Sequence, residues 1–150
     1  MEAPKTTYSI RQVSDRTGLK SHVLRYYEQE GLLPCVGRTQ SGIRRYTDDD
    51  LELLGLICCL KNTGMSIKQI REFVELSEKG NKTLKKRCEK LIEHKQSVEI
   101  QIQEMQKHLE KVSHKIQFFT NQYDEYCKNN PDIPKQNNRK TSVSPSDIEF

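Results

Sequence analysis

The sequence predicts a mainly α-helical protein in which a small domain of short helices precedes one long helix. Glycines at positions 18, 31, 64 and 80 separate four short segments whose apolar residues recur with helical spacing. A glycine-containing stretch, residues 36–45, interrupts these helices and favours a small β-hairpin. From Thr83 to Lys128 neither glycine nor proline occurs, which predicts a single continuous helix.

The starts and ends of the short helices are marked by capping residues. Ser9 can cap a first helix that ends at Thr17 before Gly18, and a second helix opens at Lys20 and Ser21 and stops at Gly31. A third helix is expected from about Asp48 to Asn62, and a fourth from a capping box at residues 66–69 to about residue 78. The prediction is a winged helix-turn-helix domain over residues 8–78, with the helix-turn-helix at about 10–29.

The second helix has two chemically different sides. Its apolar residues Val23, Leu24 and Tyr27 point one way. The opposite side has the spacing of one helical face and carries groups that bind phosphates and base edges, namely His22, Arg25, Tyr26 and Gln29. With another helix and a tight turn in front of it, this helix is predicted to enter the major groove of double-stranded DNA.

The long helix carries an apolar stripe with heptad spacing. About 45 residues at 1.5 Å each give a rod of roughly 68 Å, and one such helix cannot bury its stripe alone. We therefore expect residues 83–128 to form a dimeric coiled coil; the alternative is a helix folded back on its own domain. The stripe consists of Leu84, Leu91, Val98, Met105, Val112, Phe119 and Tyr126, with Ile102, Leu109, Ile116 and Tyr123 at its second position.

Composition narrows the class of protein. Of 150 residues, 33% are hydrophobic and 31% charged, and residues 1–46 hold eight Lys and Arg against four Asp and Glu. A basic excess beside the helix-turn-helix suits a polyanion partner. Five cysteines without a CxxC pair, and no apolar run of about 20 residues, predict a cytoplasmic protein with no membrane partner. Residues 129–150 are polar and are predicted to be a disordered tail.

The string LRYYEQEGLL at residues 24–33, followed by SGIRRYT at residues 41–47, closely resembles the MerR family of bacterial transcription regulators. The resemblance covers roughly residues 8–128. It implies a homodimer joined by an antiparallel coiled coil, which binds a pseudo-palindrome in a promoter whose two polymerase-binding elements are spaced too widely. It also implies that the activated dimer distorts this DNA, so that RNA polymerase engages both elements.

The resemblance also implies which residues contact DNA. Physically, Arg25 suits a guanine edge or a phosphate, whereas Ser21, Tyr26 and Lys61 suit phosphates. Tyr27 is equally compatible with the core, and Arg44 with bracing the wing. The matching positions are Ser21, His22, Arg25, Tyr26 and Tyr27 on the second helix, Arg44, Arg45 and Tyr46 on the wing, and Lys61 on the third helix.

Cys59 matches the lone cysteine of a subgroup of AdhR or NmlR type, whose members respond to aldehydes, other electrophiles or nitrosative stress. One thiolate suffices for adduct formation, whereas chelation needs several ligands. The alternative is that Cys59 packs as a small hydrophobe. A lysine, Lys85, falls where metal-sensing relatives place their first ligand, and no cysteine pair follows Cys127. No metal site and no cofactor are therefore expected.

Two other functions remain open at this point. One is a regulator switched by a small ligand between the long helix and the DNA-binding part. The other, from a different class, is an interaction protein whose coiled coil is its working surface and which lacks specific DNA affinity. An enzyme is not expected, because none of the four histidines has a nucleophile or carboxylate partner placed beside it by the sequence.

Overall fold

The computed structural model describes residues 3–133 and shows the predicted order of short helices, hairpin and long helix. An additional short strand, β1, precedes the first helix, and a 3-10 turn, Asn81–Thr83, leads into the last helix. The elements in chain order are β1 (Thr7–Tyr8), α1 (Ile10–Thr17), α2 (Ser21–Gln29), β2 (Gly37–Arg38), β3 (Arg44–Thr47), α3 (Asp48–Asn62), α4 (Ile67–Glu78) and α5 (Leu84–Asn129).

Reciprocal capping boxes start three of the helices. In each box the first side chain accepts the backbone N–H three residues later, and the side chain there accepts the backbone N–H of the cap. Gly18, with φ of 73°, ends α1 in the left-handed conformation that glycine adopts without strain. The helix limits predicted from these residues are therefore confirmed. The boxes are Ser9 with Gln12, Thr47 with Asp50, and Ser66 with Gln69.

The three strands form a small antiparallel sheet in the order β1-β3-β2. The predicted hairpin is β2 with β3, in which Arg38 lies opposite Arg44. On the other side of β3, Tyr8 lies opposite Tyr46. Strand β1 was not predicted, because two residues are too few for a period-two pattern and their partner lies about 40 positions away.

A single core joins the short helices and the sheet. Its fully buried side chains come from every helix of this part except the long one, and from β3 and the segment after α2. Burying this many large aliphatic and aromatic groups is the main favourable contribution to folding the domain. The largest are Val13, Leu24, Tyr27, Leu32, Leu33, Tyr46, Leu54, Ile57, Ile70 and Val74.

The chain divides into two compact units, one up to Gln101 and one from Ile102 onward. In the second unit the apolar side chains of α5 are exposed, and Met105 reaches 68%. Helix α5 starts at Leu84, one residue after the predicted start at Thr83. It ends at Asn129, the first residue of the tail that the sequence predicts. Of that expected disordered tail, residues 134–150 lie outside the described residues. Within residues 3–133, no helix has the length and apolar character needed to cross a membrane.

Candidate nucleic-acid interface

Helix α2 presents one side to the core and the other to solvent. Leu24 and Tyr27 are buried, with exposed fractions of 0% and 1%. The opposite side, which we call the reading face, consists of His22, Arg25, Tyr26 and Gln29, all exposed. Ser21 lies half-buried in the first turn of the helix. The exposed side of α2 therefore carries His22, Arg25 and Tyr26, three of the residues that the sequence analysis assigned to DNA contacts.

The carboxyl end of α2 is fastened to α4 by one arginine. Arg71 donates from Nε to the backbone oxygen of Glu30 at 2.6 Å and from Nη2 to the Glu30 carboxylate at 2.5 Å. Two parallel bonds from one planar guanidinium fix direction as well as distance. The reading face is thus held against the rest of the domain at the end where Gly31, with φ of 76°, turns the chain away.

Tyr27 does not reach the surface, which corrects its assignment as a DNA contact. Its ring is in the core, and its hydroxyl accepts a hydrogen bond from Lys61 Nζ at 3.2 Å. The Lys61 ammonium also lies 5.3 Å from the centroid of the Tyr27 ring, within the range of a cation–π contact. Lys61 itself is exposed on α3. Tyr27 is therefore a core residue that orients Lys61, the core interpretation that the sequence had left open.

The wing, residues 37–47, is tied to α2 by a carboxylate. Glu28 accepts a bond from Arg44 Nε at 2.5 Å through one oxygen and from Arg38 Nη2 at 3.0 Å through the other. Arg38 also donates from Nη1 to the backbone oxygen of Gly42 at 3.1 Å. Arg44 therefore braces the wing, one of the two roles that the sequence analysis left open, and does so through the Glu28 carboxylate. Sequence reasoning missed Glu28 and Arg38 altogether.

Side-chain alternation along β3 separates the two remaining wing residues. Arg44 and Tyr46 share one face of the strand, and Arg45 lies on the other, half-buried. Tyr46 is only 1% exposed, so its assignment as a surface contact to DNA is also corrected. Its hydroxyl has no hydrogen-bond partner among the described residues. Burial, followed by the nearby Glu28 carboxylate, raises the pKa of Tyr46 above its usual value of 10.0.

The two adjacent cysteines of α3 have different surroundings. Cys59 is exposed, and its backbone oxygen accepts a 2.7 Å bond from the Thr63 hydroxyl. Cys58 is half-buried, and burial raises the pKa of its thiol, with Lys61 acting in the opposite direction. Among residues 3–133, no group of three His, Cys, Asp or Glu side chains is arranged to hold a metal ion.

Two family models match the chain. MerR HTH family regulatory protein matches residues 8–76, and MerR, DNA binding, matches residues 51–117. An HTH-type transcriptional regulator of Haemophilus influenzae is 40% identical over 113 residues, which are 75% of this chain and 84% of that protein. AdhR of Bacillus subtilis, an HTH-type transcriptional regulator, is 39% identical over 88 residues, covering 59% of this chain and 63% of AdhR.

Solved structures agree with these matches. HiNmlR, described as a MerR family regulator lacking the sensor domain and bound to promoter DNA, superposes with a TM-score of 0.72 at 39% identity, over 77% of this chain and 92% of that one. A MerR family regulator from Bacillus thuringiensis gives 0.69 at 35% identity, over 74% of this chain and 97% of its own. The chain therefore belongs to the MerR family of DNA-binding helix-turn-helix transcriptional regulators.

Proposed function

We propose that this chain is a homodimeric promoter-binding regulator that reads DNA with the reading face of α2. The observation that carries the proposal is that α2 has two different sides: it buries Leu24 and Tyr27 and exposes Arg25 with the rest of the reading face. A helix that hides its aliphatic side inside a rigid domain and presents a guanidinium, an imidazole and a phenol outward has the chemistry of a major-groove reader. The DNA-bound relative HiNmlR has the same fold.

The residues proposed to contact DNA divide into those that read bases and those that hold phosphates. Arg25, in the middle of the helix, can bond a guanine edge with two parallel N–H groups. Ser21 and Tyr26 each offer one hydroxyl and Lys61 offers an ammonium group, and such groups position the protein on the DNA backbone. His22 and Arg45 complete the proposed contacts, one at the start of α2 and one on the outer face of the wing. Tyr27 and Tyr46, which are buried, and Arg44, which is bonded to Glu28, are left out of the proposed contacts.

The exposed stripe of α5 supports a homodimer. In the second unit every residue of the predicted heptad positions is exposed, including aromatic rings whose burial is strongly favourable in water. Stripes of this size on one helix are normally covered by a second helix. We propose that the second copy runs antiparallel, as the family resemblance implies. The exposed residues of the stripe in the second unit are Ile102, Met105, Leu109, Val112, Ile116, Phe119, Tyr123 and Tyr126.

We further propose that the bound dimer distorts its promoter and thereby controls RNA polymerase. Transcription in vitro tests this step. The templates carry the promoter with progressively shorter DNA between its two polymerase-binding elements, down to the length found in promoters that need no activator. Dependence on the regulator should disappear as the spacer shortens, because a template that is already in register gains nothing from distortion. A regulator that activates all spacers equally would exclude the distortion mechanism.

Specific DNA binding is tested by a salt series on promoter and scrambled duplexes. A promoter-reading dimer should keep a preference of about a thousandfold or more across the series, while both affinities fall because added salt reduces the free energy gained when binding releases counterions from the DNA. Equal affinity for the two duplexes at every salt concentration would favour the alternative class, an interaction protein with a basic surface.

Modification of Cys59 by an aldehyde or another electrophile is the proposed switch. Exposure of the Cys59 side chain and the likeness to AdhR support it, and Cys58 provides an internal control because its thiol is half-buried with a raised pKa. In transcription in vitro with a reactive aldehyde, Cys59→Ser should lose the response and Cys58→Ser should keep it. A full response from Cys59→Ser would exclude the thiol route.

A cavity in the first unit favours a second candidate switch, a small ligand. Its volume is about 290 Å³, near the lower limit for sites that take small molecules. The Thr63 hydroxyl and His94 Nε2, 2.6 Å apart, belong to residues that line it, so an occupant would touch both the segment that follows α3 and the amino-terminal half of α5. The Ser97→Leu substitution would fill part of this cavity. A transcriptional response that persists in Cys59→Ser and is lost in Ser97→Leu would support the small-ligand switch. Other lining residues are Gly64, Met65, Gln69, Phe73, Lys90 and Glu93.

A further inference from the structure

We infer that Glu28 is a positioning residue that sets the location of the wing relative to the reading face. The inference rests on the proposed function, since it concerns how that interface is held in shape. Glu28 lies on α2, one helical turn after Leu24 and three residues after Arg25, so any group bonded to its carboxylate is fixed relative to the reading face.

The carboxylate of Glu28 connects three elements. One oxygen accepts from Arg44 on β3 at 2.5 Å, and the other accepts from Arg38 on β2 at 3.0 Å. Arg38 extends the connection to the turn of the hairpin by donating to the oxygen of Gly42 at 3.1 Å. The Glu28 side chain is only 19% exposed and that of Arg44 26%, so water screens this ion pair less than it screens pairs on an open surface, whereas Arg38, at 45%, is more strongly screened.

The two arginines need this carboxylate for an electrostatic reason. Arg38 and Arg44 are directly opposite each other in the antiparallel ladder. Like charges at such positions destabilise strand pairing. Glu28 supplies the opposite charge within bonding distance of both, which converts a repulsive cross-strand pair into a three-membered network. Without it, the hairpin would relax by separating the arginines or by turning away from α2.

The network decides which parts of the wing remain available for DNA. Because Arg44 is bonded to Glu28 on the inner face of β3, it acts through the position of the hairpin. The outer face of the strand holds Arg45, and the turn residues 40–43 are exposed. A correct distance between this outer surface and Arg25 is required for both to meet one duplex, and small displacements of such groups are costly.

Hydrogen exchange on the free protein tests the inference without DNA. Glu28→Gln keeps the size and one acceptor but removes the charge, and Glu52→Gln, at an exposed position of α3, is the control of equal charge change. Glu28→Gln should raise the exchange rates of the turn amides of Thr39 and Gly42 by about tenfold. The amide of Ile70, bonded within α4, should not change. Wild-type exchange at the turn amides in Glu28→Gln would overturn the inference.

A double-mutant cycle on promoter DNA tests its consequence. If Arg44 acts through Glu28, then Glu28→Gln and Arg44→Gln should each weaken specific binding by about tenfold, and the double variant should be no weaker than the worse single one. Losses that multiply would show that Arg44 binds DNA independently and would overturn the inference. Equal binding of promoter and scrambled DNA by the wild-type protein would refute the proposed function instead, and the exchange experiment would still decide the role of Glu28.

Discussion

Two neighbouring residues of α2 should separate folding from DNA binding. Leu24 is completely buried, so Leu24→Ala should reduce the free energy of unfolding by about 2–5 kcal/mol through lost burial and the resulting cavity. Arg25 is exposed, and within residues 3–133 its side chain makes no hydrogen bond or salt bridge, so Arg25→Ala should change that free energy by no more than about 0.5 kcal/mol. Leu24→Ala should therefore destabilise the fold, whereas Arg25→Ala should weaken DNA binding and leave the stability nearly unchanged.

The expected loss of binding for Arg25→Ala follows from the number of contacts. A bidentate base contact contributes about 1–3 kcal/mol of discrimination, and the proposed dimer would make it twice. The loss for two copies is then about 2–6 kcal/mol, roughly 30-fold to 20,000-fold in affinity for the promoter. Affinity for scrambled DNA should fall much less, and the dependence on salt should be nearly unchanged if Arg25 reads a base rather than a phosphate.

Urea unfolding followed by circular dichroism gives the first quantity, and fluorescence anisotropy on labelled promoter and scrambled duplexes gives the second. Arg25→Lys serves as a further control, because it keeps the charge and loses the planar fork. Promoter affinity of Arg25→Ala within about twofold of wild type would refute the assignment of the reading face. A large loss of stability in the same variant would refute the description of Arg25 as a surface residue.

Three further substitutions test the core, a cap and the dimer. Burial raises the pKa of Tyr46, so the folded protein favours the neutral phenol. The contribution of Tyr46 to the free energy of unfolding is therefore fully present below about pH 10 and is lost as the pH rises through the folded-state pKa. Tyr46→Phe should therefore unfold with a weaker alkaline dependence in urea titrations and keep wild-type promoter affinity, whereas weaker binding would restore Tyr46 as a contact. Ser66→Ala removes the cap of α4 and should cost about 1 kcal/mol in thermal unfolding; an unchanged midpoint would count against that cap. Ile116→Glu places charges in the proposed dimer stripe and should yield monomers in sedimentation equilibrium, with exposed Gln117→Glu as control; a dimeric Ile116→Glu would place the interface elsewhere.

Local chemistry made the helices predictable from the sequence. Each capping box lies within four consecutive residues, and Gly18 ends α1 through its own backbone conformation. The sidedness of α2 is likewise local, because it depends only on helical spacing. For these reasons the sequence alone predicts the fold and most of the reading face.

The errors and omissions concern contacts between distant parts of the chain. Glu28 meets Arg44 across 16 positions, and nothing in the spacing distinguishes it from a solvated glutamate. The burial of Tyr46 is partly predictable from the sequence. Side chains alternate along a strand, so Arg44 and Tyr46 share one face and Arg45 lies on the other, and the three cannot all face the DNA. Tyr27 was ambiguous because a tyrosine fits both an apolar side and a wet one.

Tyr8 has a practical consequence for anyone handling this protein. Its backbone pairs with that of Tyr46, its hydroxyl donates to Asp48 at 2.8 Å, and the Arg16 guanidinium lies 4.3 Å from its ring centroid. The amino-terminal segment is thus built into the side of the molecule that carries the hairpin. Proteolysis that removes Tyr8 would take away these contacts to β3, α3 and α1 but no helical residue. Circular dichroism, which reports mainly helix content, would therefore not detect the loss.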